Sequence, residues 1–379
     1  MISRKNTAVA AVMLSAVLTA SCLATPDNKE TEAESSTEAA SEVTTTQSET
    51  SDINTPHAQV MTSETVPEED TTAPMWLEAP DSLNIEADSE FVVGDYLSYI
   101  DDLDSTVDMT VEGEVDTAVT GTYPITVTLT DDAGNKTTKD INVTVYVPVE
   151  PTGETEPGPE PEPDYYEFDE FMADYAGEGA MYGIDISKYQ GDVDFEKVKA
   201  AGCDFVILRA MVYYKGELII DEKFSQNLAN AKAAGLKVGV YIYTFANTEE
   251  LVREQTDALC ELLDGEQLDF PVVFDWERFS NFQQYNLSMA DLRQLYQVFK
   301  DELSKYGYEG MLYSSKYYLE AIWKPNAGET VWLAHYTDQT SYEGEYIMWQ
   351  TSSYGTIDGI DGPVDMDLYY GELPGGTNG

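Results

Sequence analysis

The segment FPVVFDWERF, residues 270–279, sets two acids two positions apart, Asp275 and Glu277, at the end of an apolar run. On a strand, residues i and i+2 share a face, with Cα atoms roughly 6.5–7 Å apart. Asp275 and Glu277 are therefore expected to face one way and Trp276 the other, into the wall. Two such carboxylates in a partly dry cleft do not ionise together easily, so one keeps its proton above the usual range. A proton donor beside an anion is what cleavage of a glycosidic bond requires. The motif alone is weak, because the chain has 71 Asp and Glu against 20 Lys and Arg, a formal net charge of -51, and acids two apart recur by chance. The same excess disfavours nucleic acid and anionic membrane surfaces as partners, since every approach is repulsive.

The elements that must position the pair run from Met181 to Gly371. Apolar strand-like runs (MYGIDIS, DFVILRA, KVGVYIYTF, FPVVFDWE, GMLYSS, TVWLAHYT, EYIMWQTSS, VDMDLYY) alternate at first with helical segments (DFEKVKAAG, FSQNLANAKAAG, TEELVREQTDALCELL, MADLRQLYQVFKDELSKYG). Three helices close on Gly202, Gly235 and Gly307, where a left-handed cap is expected. Strand–helix alternation predicts a parallel sheet, and eight strands predict a closed barrel with its chemistry at the C-terminal strand ends. Helices thin out late, so the predicted fold class is an irregular, TIM-like α/β barrel of about five helices. The strand ends carry the acids Asp185, Asp275, Glu277, Asp365 and Asp367, with Arg209, Tyr241, Tyr243, Tyr313, His335, Trp349 and Gln350 as candidate substrate-binding groups. Acids among aromatic rings, with no basic cluster, suit a neutral polyol. Asp367 is expected to be solvated, and Trp349 reads equally as core or as a sugar platform.

Residues 182–371 resemble the family-25 glycoside hydrolases, the lysozymes that cut peptidoglycan between N-acetylmuramic acid and N-acetylglucosamine. The resemblance rests on YGIDISKYQGDVDFEKVKAAG, RAMVYYKGELIIDEKFSQNLANAKAAGLKVGVYIYT, VVFDWE, LYSS, VWLAHYT, WQTSS and IDGIDGPVDMDLYYG, in that order. It implies a (β/α)5β3 barrel with no cofactor and no metal, Glu277 as general acid, and Asp275 as the group that orients the substrate's 2-acetamido arm or stabilises developing positive charge. It further implies Asp185 and Asp365 as the remaining catalytic carboxylates, and cleft-lining roles for Tyr241, His335 and Gln350. MVYYKG and VDMD depart from the family's usual residues, which bears on substrate preference. Retaining and inverting mechanisms both stay open on the residues alone, while the resemblance implies retention assisted by the acetamido group. Two alternatives are an inactive wall-glycan binder and a chitinase-like glycosidase, whose D-x-x-D-x-D-x-E pattern is absent, since Val272 and Val273 precede Asp275.

Ahead of the barrel the chain changes texture several times. Arg4 and Lys5, an apolar run from Ala8 to Leu18 and small residues to Ala24 read as an export signal over residues 1–24. Cys22 reads either as the lipidated first residue of a lipoprotein, anchored by its acyl chains, or as part of a plain signal cut near Ala20 or Ala24. Residues 25–72 are Ser, Thr and Glu with few large apolar groups, a disordered tether. Residues 73–147 alternate with period two around Asp132-Ala133-Gly134-Asn135, predicting an antiparallel β-sandwich. GTYPITVTLTDDAGNKTTKDINVTV there resembles bacterial Ig-like modules; a spacer role is expected, with weak calcium binding left open by its Asp-rich turns. Residues 148–180 form a Pro/Glu-rich acidic linker, 181–372 the barrel and 373–379 a tail. Cys203 and Cys260 are expected as buried thiols. The whole reads as an exported, monomeric bacterial protein at the cell surface or outside it, with peptidoglycan as partner.

Overall fold

A computed structural model describes residues 70–148, 165–177, 179–214 and 216–371. The export signal, Cys22, the tether up to residue 69, residues 149–164 of the linker and the tail lie outside the described residues.

The first module holds six strands: β1 (Met75–Glu78), β2 (Ser82–Glu86), β3 (Ser98–Ile100), β4 (Asp108–Glu112), β5 (Gly121–Thr130) and β6 (Lys136–Tyr146). β2, β6, β5 and β4 lie side by side in one sheet, and β1 pairs with β3 in a second. The expected hairpin is present, with β5 and β6 antiparallel over ten residue pairs from Gly121↔Val145 to Thr130↔Lys136. The sheet is not wholly antiparallel as predicted, because β2 runs parallel to β6. Alternating inward residues, among them Leu83, Ile85, Ile125, Val127, Ile141 and Val143, make its core.

The small β1–β3 sheet has two working faces. Trp76 packs into the module's own core, whereas Met75 and Leu77, which a strand must turn the other way, pack against the core of the second module together with Ile100. The first module is therefore docked by period-two alternation rather than strung on as a spacer. Ser98, fully buried, donates its hydroxyl to Phe279 O and accepts from Phe282 N at 3.1 Å; Gln283 Nε2 donates to Leu97 O at 3.0 Å.

The second module opens with β7 (Tyr166–Glu167) and α1 (Phe168–Asp174), inside the stretch expected as linker. Phe168, Phe171 and Tyr175 enter the core, which explains why this acidic stretch is ordered. β8 (Met181–Ile186), α2 (Phe195–Ala200), β9 (Phe205–Tyr214), β10 (Glu217–Ile220), α3 (Phe224–Ala233), β11 (Lys237–Tyr243), α4 (Glu249–Leu263), β12 (Val272–Asp275), α5 (Met289–Ser304), β13 (Gly310–Ser315), β14 (Val331–Ala334), β15 (Met348–Thr356) and β16 (Val364–Tyr369) follow. A short helical stretch, Lys316–Trp323, separates β13 from β14. Gly202, Gly235 and Gly307 take φ of +101°, +76° and +81° after α2, α3 and α5, as the cap pattern predicted.

Eight strands close into a barrel in the order β8-β9-β11-β12-β13-β14-β15-β16, with β16 returning to β8. Seven are parallel in sequence, but β16 runs antiparallel to both neighbours. The expectation of an all-parallel sheet is corrected here: the seven residues 357–363 between β15 and β16 are too few for a parallel crossover. Consequently it is the N-terminal end of β16 that reaches the mouth.

Alternation divides each strand between two cores. Val206, Leu208, Val272, Phe274, Leu312, Val331 and Leu333 face the helices, and Phe205, Ile207, Val273, Met311, Trp332, Met348 and Tyr369 fill the barrel's floor. Gly183 keeps that floor closed, since a Cβ there would lie 2.3 Å from the Phe205 ring. The next inward position up is polar on every strand but β14, where Ala334 stands.

Candidate active site

That polar layer lines one cleft. Asp185 is the second-last residue of β8, Arg209 lies on β9, Tyr241 and Tyr243 on β11, Asp275 ends β12, Glu277 lies just beyond it, and Asp365 is the second residue of β16; all line the cleft's first lobe. A second lobe shares Asp185, Tyr241, Asp275, Glu277 and Asp365 and adds Tyr313, Trp332, Tyr336 and Gln350. Four of the five predicted acids thus meet in one place.

The opening motif behaves as its spacing demands. Trp276 turns away and is completely buried, its indole N–H donating to Ala246 O at 3.1 Å. Phe279, Phe282 and Tyr285 surround it edge-on at 5.1–5.4 Å between ring centroids. The anchored ring fixes the backbone on either side, so Asp275 and Glu277 are held facing the cleft.

Burial dominates the electrostatics. Asp275 is 7% exposed, and its Oδ1 is buried without a hydrogen-bond partner. Burial first, then the charges of Glu277 and Asp185, push its pKa well up, with Arg209 opposing. Solvent reaches Glu277 at the mouth, yet the protein crowded around it raises its pKa to about 7. The two carboxyls titrate as a pair rather than as independent groups.

Asp185 sits opposite Asp365 across the β8–β16 pairing and accepts from Gln350 Nε2 at 2.7 Å. Gln350 is itself fixed, its Oε1 accepting from Tyr313 OH and Tyr336 OH, each at 2.9 Å. Burial raises Asp185 first of all, followed by the charge of Asp367; Asp365 is raised by burial and then by Asp185.

Asp367 corrects the expectation of a solvated side chain. It is fully buried one step below Asp365, Oδ1 accepting from Trp332 Nε1 at 3.0 Å. Its Oδ2 is buried with no hydrogen-bond partner, and burial, then the charge of Asp365, pushes its pKa well up. The inverted direction of β16 puts Asp365 at the mouth and Asp367 beneath it.

Arg209 is less free than its strand-end position suggested. Its Nε and one terminal nitrogen bind Asp221 Oδ2 at 2.9 and 2.8 Å, and Asp221 also accepts from Lys188 N at 3.0 Å. The guanidinium lies 5.0 Å from the Tyr189 ring centroid, so Arg209 shapes the loop carrying that highly exposed aromatic.

His335 and Trp349 do not line the cleft. His335 Nδ1 pairs with Thr340 Oγ1 at 2.8 Å, and Trp349 donates to His335 O at 2.9 Å while packing edge-on against Tyr175. Both occupy outward positions of their strands. Tyr336 and Trp332, which sequence reasoning passed over, lie on the inward positions, and counting by two from Trp332 would have found Tyr336. Tyr189 and Asp221 were also missed, and their loops carry no comparable local signal. Cys203 and Cys260 are buried free thiols, as expected.

With this geometry in place, residues 184–360 match the family model for glycosyl hydrolases family 25, and residues 75–145 match that of the bacterial surface protein Ig-like domain. The chain is similar to the autolytic lysozyme of Clostridium acetobutylicum, 29% identical over 204 residues, covering 52% of this chain and 58% of that protein. It therefore spans a little over half of that relative's length. It is also similar to lysozyme M1 of Streptomyces globisporus, 27% identical over 209 residues, covering 52% and 70%. Among solved structures, the bacterial lysozyme from Streptomyces coelicolor aligns at 23% identity and a TM-score of 0.43, over 50% of this chain and 92% of that one.

Proposed function

We propose, from the match of residues 184–360 to the family model for glycosyl hydrolases family 25, that the protein is a muramidase. It hydrolyses the β-1,4 bond between N-acetylmuramic acid and N-acetylglucosamine in peptidoglycan. The observation carrying this reading is the convergence of Asp185, Asp275, Glu277 and Asp365 on one cleft walled by tyrosines. Glu277, at the mouth with a pKa raised to about 7, is protonated in mildly acid to neutral solution and donates to the leaving oxygen. Asp275 faces the substrate's acetamido N–H, which supplies the hydrogen bond its buried Oδ1 lacks. Asp185 and Asp365 stabilise positive charge on the sugar, and Gln350 holds Asp185 in place. Tyr241, Tyr243, Tyr313 and Tyr336 line the sugar path, while Arg209 acts on it through the Tyr189 loop.

Five strand–helix units followed by three strands support the finer (β/α)5β3 description of the barrel. Export by residues 1–24, action as a monomer, and a surface position through lipidated Cys22 or free secretion complete the proposal; the surface-type Ig-like match supports the outward location. The test is digestion of purified peptidoglycan by the protein beside Glu277→Gln, with the new reducing ends identified. Reducing N-acetylmuramic acid ends, absent with the variant, are expected. Undiminished glycan binding without cleavage of several wall types would instead make this a binding protein, and N-acetylglucosamine ends would reassign the cleaved bond.

A further inference from the structure

The first module carries five aspartates that play no part in the cleft. Asp101, Asp102 and Asp104 follow β3, Asp131 begins the β5–β6 turn, and Asp70 opens the described chain. Carboxylate oxygens of Asp70, Asp101 and Asp102 lie within 4.8 Å of one another, and so do those of Asp70, Asp104 and Asp131. None of the ion pairs among the described residues involves any of the five. The charge of Asp102 reaches Arg293, one of whose terminal nitrogens donates to Ile322 O at 2.8 Å.

Unmet hydrogen-bonding capacity separates this cluster from a solvated acidic patch. Asp101 is 1% exposed; its Oδ1 accepts from Leu103 N at 3.0 Å and Asp104 N at 2.8 Å, and its Oδ2 is buried with no partner. Asp70 Oδ2 and Asp102 Oδ1 are also buried without partners. Each of the three acids has one orphaned oxygen, and one carboxylate oxygen from each lies within 4.8 Å of the others. Buried, unpaired carboxylates are strongly unfavourable unless a cation meets them.

We propose that Asp70, Asp101 and Asp102 bind a calcium ion, with Asp104 and Asp131 extending the site through Asp70. Calcium takes six to eight oxygens at roughly 2.3–2.6 Å, so ligands on opposite sides of one ion stand up to about 5 Å apart, which fits the spacing. Magnesium requires a tighter octahedron and keeps its waters, which loop-borne, largely dehydrated carboxylates match poorly. Asn135 ties the two halves together, its Nδ2 donating to Asp70 O at 3.3 Å and Asp131 Oδ2 at 2.9 Å.

The position gives the ion a consequence. The carbonyls of Asp101 and Asp102 accept from Met289 N at 2.9 Å and Ala290 N at 3.1 Å, the first turn of α5 in the barrel. Calcium on these carboxylates fixes the same two residues that join the Ig-like module to the helix behind β12.

The test uses the whole protein, stripped with chelator and held in NaCl near about 0.15 M so that screening of its net charge stays constant. Calcium chloride is titrated by calorimetry, and melting is followed in parallel. Saturable binding with a raised melting temperature is expected, not reproduced by magnesium at equal concentration. Asp101→Asn is expected to weaken binding at least about tenfold. Asp70→Asn, at the edge of the module, carries the same test should Asp101→Asn fold poorly, and Asp108→Asn on exposed β4 should bind like the parent. Non-saturable heats, equal response to magnesium, or unchanged affinity in the Asp70 or Asp101 variant would overturn the site.

Discussion

Replacing Ser98 by Ala tests whether the Ig-like module belongs to the catalytic apparatus. Ser98 is fully buried and its hydroxyl makes two contacts across the seam, donating to Phe279 O and accepting from Phe282 N. The variant leaves one carbonyl and one N–H unsatisfied in a dry interface. At about 1–3 kcal/mol for each stranded group, the loss should be about 2–6 kcal/mol. Those two groups flank the turn that packs on Trp276, and Phe279 lies only two residues beyond Glu277. A displacement near 1 Å at a reacting group costs up to about 10²-fold in rate, so a fall of about tenfold in kcat with little change in KM is expected. Denaturant unfolding measures the first number and steady-state digestion of soluble glycan fragments the second. Destabilisation with unchanged kcat would refute the positioning of Glu277 and reduce the module to an attachment. A loss below about 0.5 kcal/mol would contradict the buried seam altogether.

Other perturbations reach the site from different sides. Glu277→Gln should lower kcat by at least about 10²-fold, the usual contribution of a general acid, without loss of glycan binding in a pull-down on insoluble wall. Gln350→Leu removes the donor to Asp185 and the acceptor of Tyr313 and Tyr336; kcat/KM should fall at least about tenfold while the melting temperature drops, since Tyr313 is left with an unmet hydroxyl. Asp185, Asp275, Asp365 and Asp367 all have pKa values raised in the folded state. The folded protein therefore holds these protons more tightly than the unfolded chain, so their contribution is fullest below the ordinary carboxylate range and is lost as pH climbs through the raised values. Melting temperature should fall as pH rises above the ordinary carboxylate range, and Asp367→Asn should flatten that decline, as scanning calorimetry at several pH values will reveal. With a net charge of -51 the protein should be repelled by anionic walls, so activity should rise as salt is first added; a steady fall from the lowest salt would count against this.

Most of the barrel and its acids were legible because strand periodicity is written locally. The inward residues Asp185, Arg209, Tyr241, Tyr243, Asp275, Tyr313 and Gln350 each stand an even number of places from a floor residue or its glycine gap. The same rule excludes His335 and Trp349, one place out of phase with Trp332 and Met348; reading only the last residues of each run hid that. The direction of β16 is not a local property, and the short connection before it was its only sign. The docking of the Ig-like module was harder still. MWLE and SYI read as ordinary short strands, and nothing in them says that Met75, Leu77, Ser98 and Ile100 face another module. The Asp-rich turns left weak calcium binding open, but nothing local says which of those aspartates come together.

The proton arrangement of the cleft is the least obvious feature and leads to a distinct kinetic expectation. In the free protein Asp275 is the more deeply buried of the pair and has an unpartnered Oδ1, so ionising it is costly, whereas Glu277 stands at the mouth with a pKa raised to about 7. The proposed chemistry needs the reverse emphasis, an anion at Asp275 and a proton on Glu277. A substrate acetamido N–H meeting Asp275 supplies the missing donor and favours its ionised form. The new negative charge beside Glu277 then raises the affinity of Glu277 for its proton, and closing the cleft mouth adds to the effect. Substrate binding thus prepares the acid. The alkaline limb of kcat/KM reports the free protein and that of kcat the complex, so the kcat limb should lie at the higher pH. Asp275→Asn, which cannot ionise, should remove the separation while lowering kcat. Coincident limbs in the parent protein, or a kcat limb on the acid side, would mean that Asp275 does not gain its charge from the substrate and that the pair is set before binding.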